Sequence, residues 1–170
     1  IVWAYPASRA RTPIAIVYIH GFSASSAELR PLPDLVSENL GANIYYARLK
    51  GHGRSGDAML DGSVHGWVND FAETVAIGRR LGERVIVMAT STGASLATWA
   101  TTRPELMRDV AGLVQFSPNY GLQATGSALL AMPWAKQMVQ LVIGDRRSFE
   151  PRNELHAQYW TYDYPSIALL

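Results

Sequence analysis

The stretch Val85-Ile86-Val87-Met88-Ala89-Thr90-Ser91-Thr92-Gly93-Ala94-Ser95 passes from an apolar, β-branched segment through one serine into a run of small residues. Arg84 to Ala89 carries too little polarity to face water on either side, which predicts a strand buried on both faces. Thr92 to Thr101 reads as a helix stopped before Pro104. A serine between such elements sits on a sharp strand-to-helix turn, where the backbone is strained and residues two positions either side must be small. Those positions are Ala89 and Gly93.

The same alternation continues on both sides of this turn. Ile14 to Ile19 is a short apolar run ending at His20-Gly21 and predicts a buried strand. Pro31 and Pro33 open a run in which Leu32, Leu35, Val36 and Leu40 recur at helical spacing before Gly41, the expected C-cap. Ile44 to Ala47 predicts a second strand, followed by the glycine-rich loop Lys50 to Asp57. Trp67, Phe71, Val75 and Gly78 mark an amphipathic helix closed by Gly82. Ala111 to Phe116 predicts a fourth buried strand, and Ile1 to Ala4 a further one, joined through a turn around Pro6 to Pro13. Apolar strands alternating with helices imply an α/β fold, a mostly parallel sheet covered by helices on both faces, with ligands at the strand C-terminal ends. After Asn119 the alternation ceases. Residues 1–120 are therefore read as a core, and residues 121–170 as a second region, with helical composition from Ala124 to Ile143 and many Tyr and Trp after Ser148.

Composition narrows the partners. With 170 residues the chain has the length of one domain and can bury roughly 70% of its unfolded surface. A formal charge of +1, with the arginines mostly scattered, argues against nucleic acid. The chain has no cysteine, which removes disulfides and thiolate chemistry and fits either redox compartment. No apolar run is long enough to span a membrane. The sequence starts at Ile1, without an initiator Met or a charged leader, so a preceding segment, a signal peptide included, is expected to have been removed or left out, and localisation stays open.

Ser91 is the candidate nucleophile. The strand-to-helix turn lifts its hydroxyl above the sheet and sets it at a helix N-terminus, where the Thr92 amide faces developing negative charge. Acyl transfer needs a second amide donor from a loop after an earlier strand, and Phe22 in His20-Gly21-Phe22 is the candidate. The plainer reading is a tight turn with Ser91 as helix N-cap. No metal is implied, because the four histidines show no paired spacing with carboxylates. Nor is a nucleotide, since Gly51-His52-Gly53 continues as no phosphate-binding pattern. Chemistry of this kind uses no cofactor.

His20-Gly21-Phe22-Ser23, Arg48-Leu49-Lys50-Gly51-His52-Gly53 and Ala89-Thr90-Ser91-Thr92-Gly93 stand in the order seen in α/β-hydrolases. The chain resembles the monoacylglycerol lipase, carboxylesterase and serine aminopeptidase group from about Ile1 to Pro118. Two positions depart from the usual pattern: Ala89 replaces a glycine and Thr90 a histidine. The resemblance implies a triad ordered Ser, Asp, His, with acid and base after later strands, beyond Leu170. Ser117-Pro118-Asn119, where some relatives place the acid, offers no carboxylate. It further implies that His20 and His52 shape the oxyanion loop and the neighbouring turn. His65 precedes the amphipathic helix, and His156, in what resembles the start of a cap or lid, is the remaining candidate base. Leu129, Leu130, Met132, Trp134, Met138, Leu141 and Val142 suit a lid over an acyl pocket, or ordinary packing of a helix on the sheet.

The function implied is hydrolysis of a carboxylic ester through an acyl-enzyme on Ser91, with a small-molecule ester, one with an apolar acyl group included, as substrate. Acyl transfer, amide hydrolysis and a non-catalytic binding protein on the same fold remain alternatives. The 170-residue chain alone is expected to be inactive, lacking acid and base. Ending the sheet at Ala111 to Phe116 leaves an apolar parallel strand as an open edge, a route to homo-oligomers. The isolated chain is accordingly expected to aggregate or dimerise in light scattering; a monodisperse monomer contradicts this.

Overall fold

The computed structural model describes residues 1–121 and 132–169. Four parallel strands, β1 (Thr12–Ile19), β2 (Asn43–Tyr46), β3 (Gly82–Thr90) and β4 (Val110–Phe116), form a sheet in the order β2-β1-β3-β4. β1 pairs with β3 from Thr12 opposite Gly82 to Ile19 opposite Ala89, so the two strands end level. That shared end brings the loop after β1 beside the turn after β3.

Helices cover both faces. On one, Val17, Ile19, Val85, Val87 and Ala89 pack against Phe71 and Val75 of α2 (Val64–Leu81) and Ala94, Ala97 and Ala100 of α3 (Ser91–Ala100). The buried face of α3 is glycine and alanine, which lets the helix backbone lie close to the strands. On the other face, Ile16, Tyr18, Ile44 and Met88 pack with Val36 of α1 (Leu32–Leu40). β1 thus sends alternate residues to opposite layers, as period-two geometry requires.

The expected apolar stripe of α1 is corrected by the structure. Val36 meets the core, but Leu32, Leu35 and Leu40 are exposed, because α1 covers only the β1–β2 side of the sheet and needs a narrow contact. Gly41 does close α1 in the left-handed region, at φ 57°. Gly82 closes α2 as expected, its amide donating to the Gly78 carbonyl, but it does so in an extended conformation, at φ −145°, and also opens β3. A Cβ there would fall 2.3 Å from the Ala15 nitrogen, so close strand packing selects the glycine. Ile1 to Ala4 makes one antiparallel bridge, Val2 with Ile44, rather than a strand, since the Ala4 amide turns to the Asn43 side chain at 2.9 Å.

A short helix α4 (Pro104–Met107) precedes β4, and a 3-10 turn spans Asp57–Asp61. The C-terminal residues form α5 (Ala135–Ile143), an antiparallel pair of β5 (Arg146–Ser148) with β6 (Asp163–Pro165), the one-turn α6 (Glu154–Ala157), and a 3-10 turn at Ser166–Leu169. The expected helical run from Ala124 lies outside the described residues as far as residue 131, Leu129 and Leu130 included. On α5, Val139 is buried, while Trp134 just before it and Leu141 and Val142 within it are exposed, so these three do not pack on the sheet. Among the described residues, no helix is long and apolar enough to cross a membrane.

α2 meets the sheet closely at Gly78, where a Cβ would lie 2.8 Å from Val17 Cγ1 and 3.0 Å from Val85 Cγ1. Gly78→Ala gains about 1 kcal/mol of helix propensity, whereas overpacking a core costs about 1–3 kcal/mol. Overpacking against two β-branched strand residues is expected to win, so the urea midpoint of the variant should fall; a rise would show that α2 shifts outward freely.

Candidate active site

Ser91 has φ 49°, a left-handed conformation that a non-glycine residue adopts only when its surroundings impose it. The imposing contacts are identifiable. A Cβ on Gly93 would fall 2.5 Å from the His20 carbonyl oxygen and 2.6 Å from that of Ile19, so α3 begins in contact with the end of β1. Behind the turn, the Ser91 carbonyl accepts the Asn119 amide at 3.2 Å and the Ser95 hydroxyl at 3.3 Å. Ser95 also reaches the Asn119 carbonyl at 2.7 Å. Asn119 follows β4 through Ser117, itself at φ 46°. The segment that lacks a carboxylate therefore braces the back of the turn, a role the sequence does not signal.

The loop after β1 lies against Ser91. A Cβ on Gly21 would come within 3.0 Å of Ser91 Cβ. Of the loop amides, Gly21 donates to Glu28 Oε2 at 2.9 Å, Ser23 to His52 Nε2 at 3.0 Å, and Ala24 to the Gly21 carbonyl at 3.3 Å. Among the described residues, the Phe22 amide meets no acceptor. Thr92 lies in the first turn of α3, where amides lack intrahelical acceptors. The Ser91 residue is half-buried. Near the strained serine lie two backbone amides, of Phe22 and Thr92, with no acceptor among the described residues.

Two histidines hold this loop in place. His20 Nδ1 donates to the Gly21 carbonyl at 2.8 Å, and its Nε2 accepts the Leu49 amide at 3.1 Å. His52 Nδ1 donates to the Lys50 carbonyl at 3.1 Å while Nε2 accepts from Ser23. An imidazole that accepts at one nitrogen and donates at the other is neutral, so this pattern fixes both tautomers. Burial pushes His20 down to about 4, the neighbouring His52 adding to the effect, and burial lowers His52 as well. The rings lie 4.9 Å apart. The Phe22 ring packs edge-on against His52, Trp67 and Tyr164, which fixes the residue whose amide is in question.

His65 is exposed near the start of α2, and His156 packs its ring on Trp160 with centroids 4.9 Å apart. Among the described residues, neither ring is hydrogen-bonded to Ser91. A polar cleft of about 340 Å³ is lined by Tyr45, Arg48, Lys50, Arg54, Asp70 and Glu73, and Ser91 is not part of it. One further group touches the site and was not among the sequence candidates: Glu28, whose Oε1 would lie 3.0 Å from that same added Cβ on Gly21.

Comparison with known proteins gives a family and a fold. The family model described as serine aminopeptidase, S33, matches residues 11–167. A curated relative, the thermostable monoacylglycerol lipase of Bacillus sp. (strain H-257), is 24% identical over 117 residues, covering 69% of this chain and 45% of that protein. A solved structure from work on the metagenome-derived lipolytic enzymes LipS and LipT superposes with TM-score 0.74 at 18% identity, covering 94% of this chain and 62% of the other. A soluble variant of the Saccharomyces cerevisiae monoglyceride lipase, solved with a substrate analogue, gives TM-score 0.63 at 13% identity, covering 93% and 58%. The chain thus spans less than half of the curated relative's length.

The two buried histidines give stability a definite pH dependence. With the folded His20 titrating near 4 and the unfolded one near 6.5, its contribution is complete above pH 6.5. It declines as the pH falls from 6.5 toward 4, because the unfolded chain takes up a proton that the folded chain refuses. Below about 4 there is no further loss from this group. The window is of order 3 kcal/mol for His20. Urea midpoints measured across it are expected to fall with pH, and to fall less steeply in His20→Asn; an identical slope in that variant would contradict the assignment.

Proposed function

The chain belongs to the serine aminopeptidase, S33, family of α/β-hydrolases, and from that premise we propose that it is a serine hydrolase acting on carboxylic esters through Ser91. The observation that carries this reading is the positive φ of Ser91 in contact with Gly21, next to a Phe22 amide that no acceptor among the described residues takes. A simple helix N-cap requires none of these: the cap residue of α3 is Thr90, at φ −118°, and Ser91 is already inside the helix.

In the proposed reaction Ser91 Oγ attacks the ester carbonyl and its proton passes to a general base. The carbonyl oxygen becomes an oxyanion that accepts from the Phe22 and Thr92 amides. Loss of one such donor typically costs about 100- to 1,000-fold in rate, near 3–4 kcal/mol. The alcohol leaves, and water then hydrolyses the acyl-serine. The base is not His20 or His52, whose ring nitrogens are both committed to backbone groups. In this reading, base and acid come from residues that these 170 do not include. The much greater length of the curated relative supports that arrangement.

Ester cleavage is preferred to amide cleavage because the curated relative and the similar structures are described as lipases or lipolytic enzymes, although the family description names an aminopeptidase. Apolar acyl chains suit the exposed Trp134, Leu141 and Val142 of the C-terminal region, read here as the start of a lid.

The test uses the protein that carries this chain. A fluorophosphonate is expected to label it at Ser91 by peptide mapping, and Ser91→Ala is expected to abolish the adduct and cut p-nitrophenyl ester turnover at least about 1,000-fold. Turnover of aminoacyl p-nitroanilides above that of the esters would favour the amide reading. No adduct at Ser91, with the ester turnover of Ser91→Ala unchanged, would overturn the hydrolase assignment.

A further inference from the structure

Glu28 lies in the polar turn between β1 and α1, in a stretch without periodicity, yet its carboxylate takes three neutral donors from three parts of the fold. Oε2 accepts the Gly21 amide at 2.9 Å and the Tyr18 hydroxyl at 3.1 Å. Oε1 accepts the Trp160 indole N–H at 3.3 Å. Among the described residues, no arginine or lysine pairs with it. Because Tyr18 donates to Glu28, the Thr90 hydroxyl must donate to the Tyr18 oxygen, 3.0 Å away. Burial, with the Glu28 charge next, raises the Tyr18 pKa and keeps it a donor. One carboxylate therefore links β1, the loop carrying Phe22, the residue preceding Ser91, and the C-terminal segment.

The last link is reinforced by backbone. Thr161 donates to the Ser23 carbonyl at 2.6 Å, and Ala24 and Trp160 form an antiparallel bridge. Further along, the Asp163 carbonyl lies so close to Gly56 that no Cβ fits there. Trp160 and Thr161 thus lie across the loop that carries Phe22, and Asp163 lies against the loop after β2.

We propose that Glu28 is the positioning residue of the Ser91 site: it draws the Gly21 amide away from the serine, leaves the Phe22 amide as the loop's donor, and through Trp160 ties the C-terminal segment to that arrangement. The proposal rests on the Ser91 reading. Planarity ties the Phe22 N–H to the Gly21 carbonyl, which His20 and Ala24 hold, while Glu28 holds the preceding plane by the Gly21 N–H; with that plane released, the φ and ψ of Gly21 are fixed from one side only and the Phe22 N–H can turn off the oxyanion. Trp160 has a different part: it fixes the segment above the loop and acts on substrate retention rather than on the donor.

The variants separate these roles. Glu28→Ala removes all three bonds. Glu28→Gln keeps one carbonyl oxygen for Gly21 but presents an amide N–H to the Trp160 N–H, so it keeps the loop and loses the tie. Trp160→Phe loses the tie alone. Hydrogen exchange of residues 21–23 reads the loop without catalysis, and ester kinetics read the site. Expected are faster exchange at 21–23 in Glu28→Ala, with β3 exchange unchanged and kcat lower by about 10- to 100-fold. Glu28→Gln should restore most of kcat, and both Glu28→Gln and Trp160→Phe should raise KM with kcat nearly kept. Unchanged exchange at 21–23 in Glu28→Ala, or a Gln variant with kcat as low as the Ala variant, overturns the proposal. A wild-type protein inert at Ser91 contradicts the hydrolase reading instead, and the exchange result still decides whether Glu28 holds the loop.

Discussion

The site depends on the meeting of α3 with the end of β1. Gly93 sits where any side chain would collide with the Ile19 and His20 carbonyls. That approach is possible because β1 and β3 end level and because α3 presents glycine and alanine to the sheet. It forces the chain at Ser91 into a left-handed turn and puts the serine next to Gly21. The strain at Ser91, of order 1–3 kcal/mol, is sustained by the packed strands on either side.

Around that contact the polar side chains are tied to neutral partners, most of them backbone groups. His20 and His52 are neutral and use both ring nitrogens on main-chain atoms of the loops following β1 and β2. Glu28 spends its carboxylate on an amide, a phenol and an indole. Ion pairs lie at the periphery, such as Arg30 with Asp34 and Arg146 with Asp57, where exposed pairs contribute about 0–1 kcal/mol each. Interactions that orient the site are thus buried or part-buried hydrogen bonds, which are costly to leave unmade, whereas the surface pairs are nearly neutral.

β1 and β3 are legible because their central residues are buried and read as apolar runs, whereas β4, expected from Ala111 to Phe116 to be buried as well, has no fully buried residue, because it is an edge strand of the sheet. Ser91, Ala89 and Gly93 are legible for a related reason: a sharp turn admits few residue types. Legibility ends where partners are distant in the chain. The Asn119 amide on the Ser91 carbonyl uses backbone, which has no residue signature. Glu28 reads as an ordinary surface acid, since its partner Trp160 is 132 positions away. The apolar residues of α1 have helical spacing, but spacing does not tell how wide a stripe the sheet can cover, and three of the four are exposed.

The central claim is that the Phe22 and Thr92 amides converge on an oxygen attached to the group that Ser91 attacks. A crystal structure of the protein inhibited by a phosphonate tests it directly. The expected result is phosphorus bonded to Ser91 Oγ, with the phosphonyl oxygen within hydrogen-bond distance of both amides, at about 2.7–3.1 Å. An adduct on another residue, or an adduct on Ser91 whose oxygen points away from Phe22 and Thr92, would contradict it.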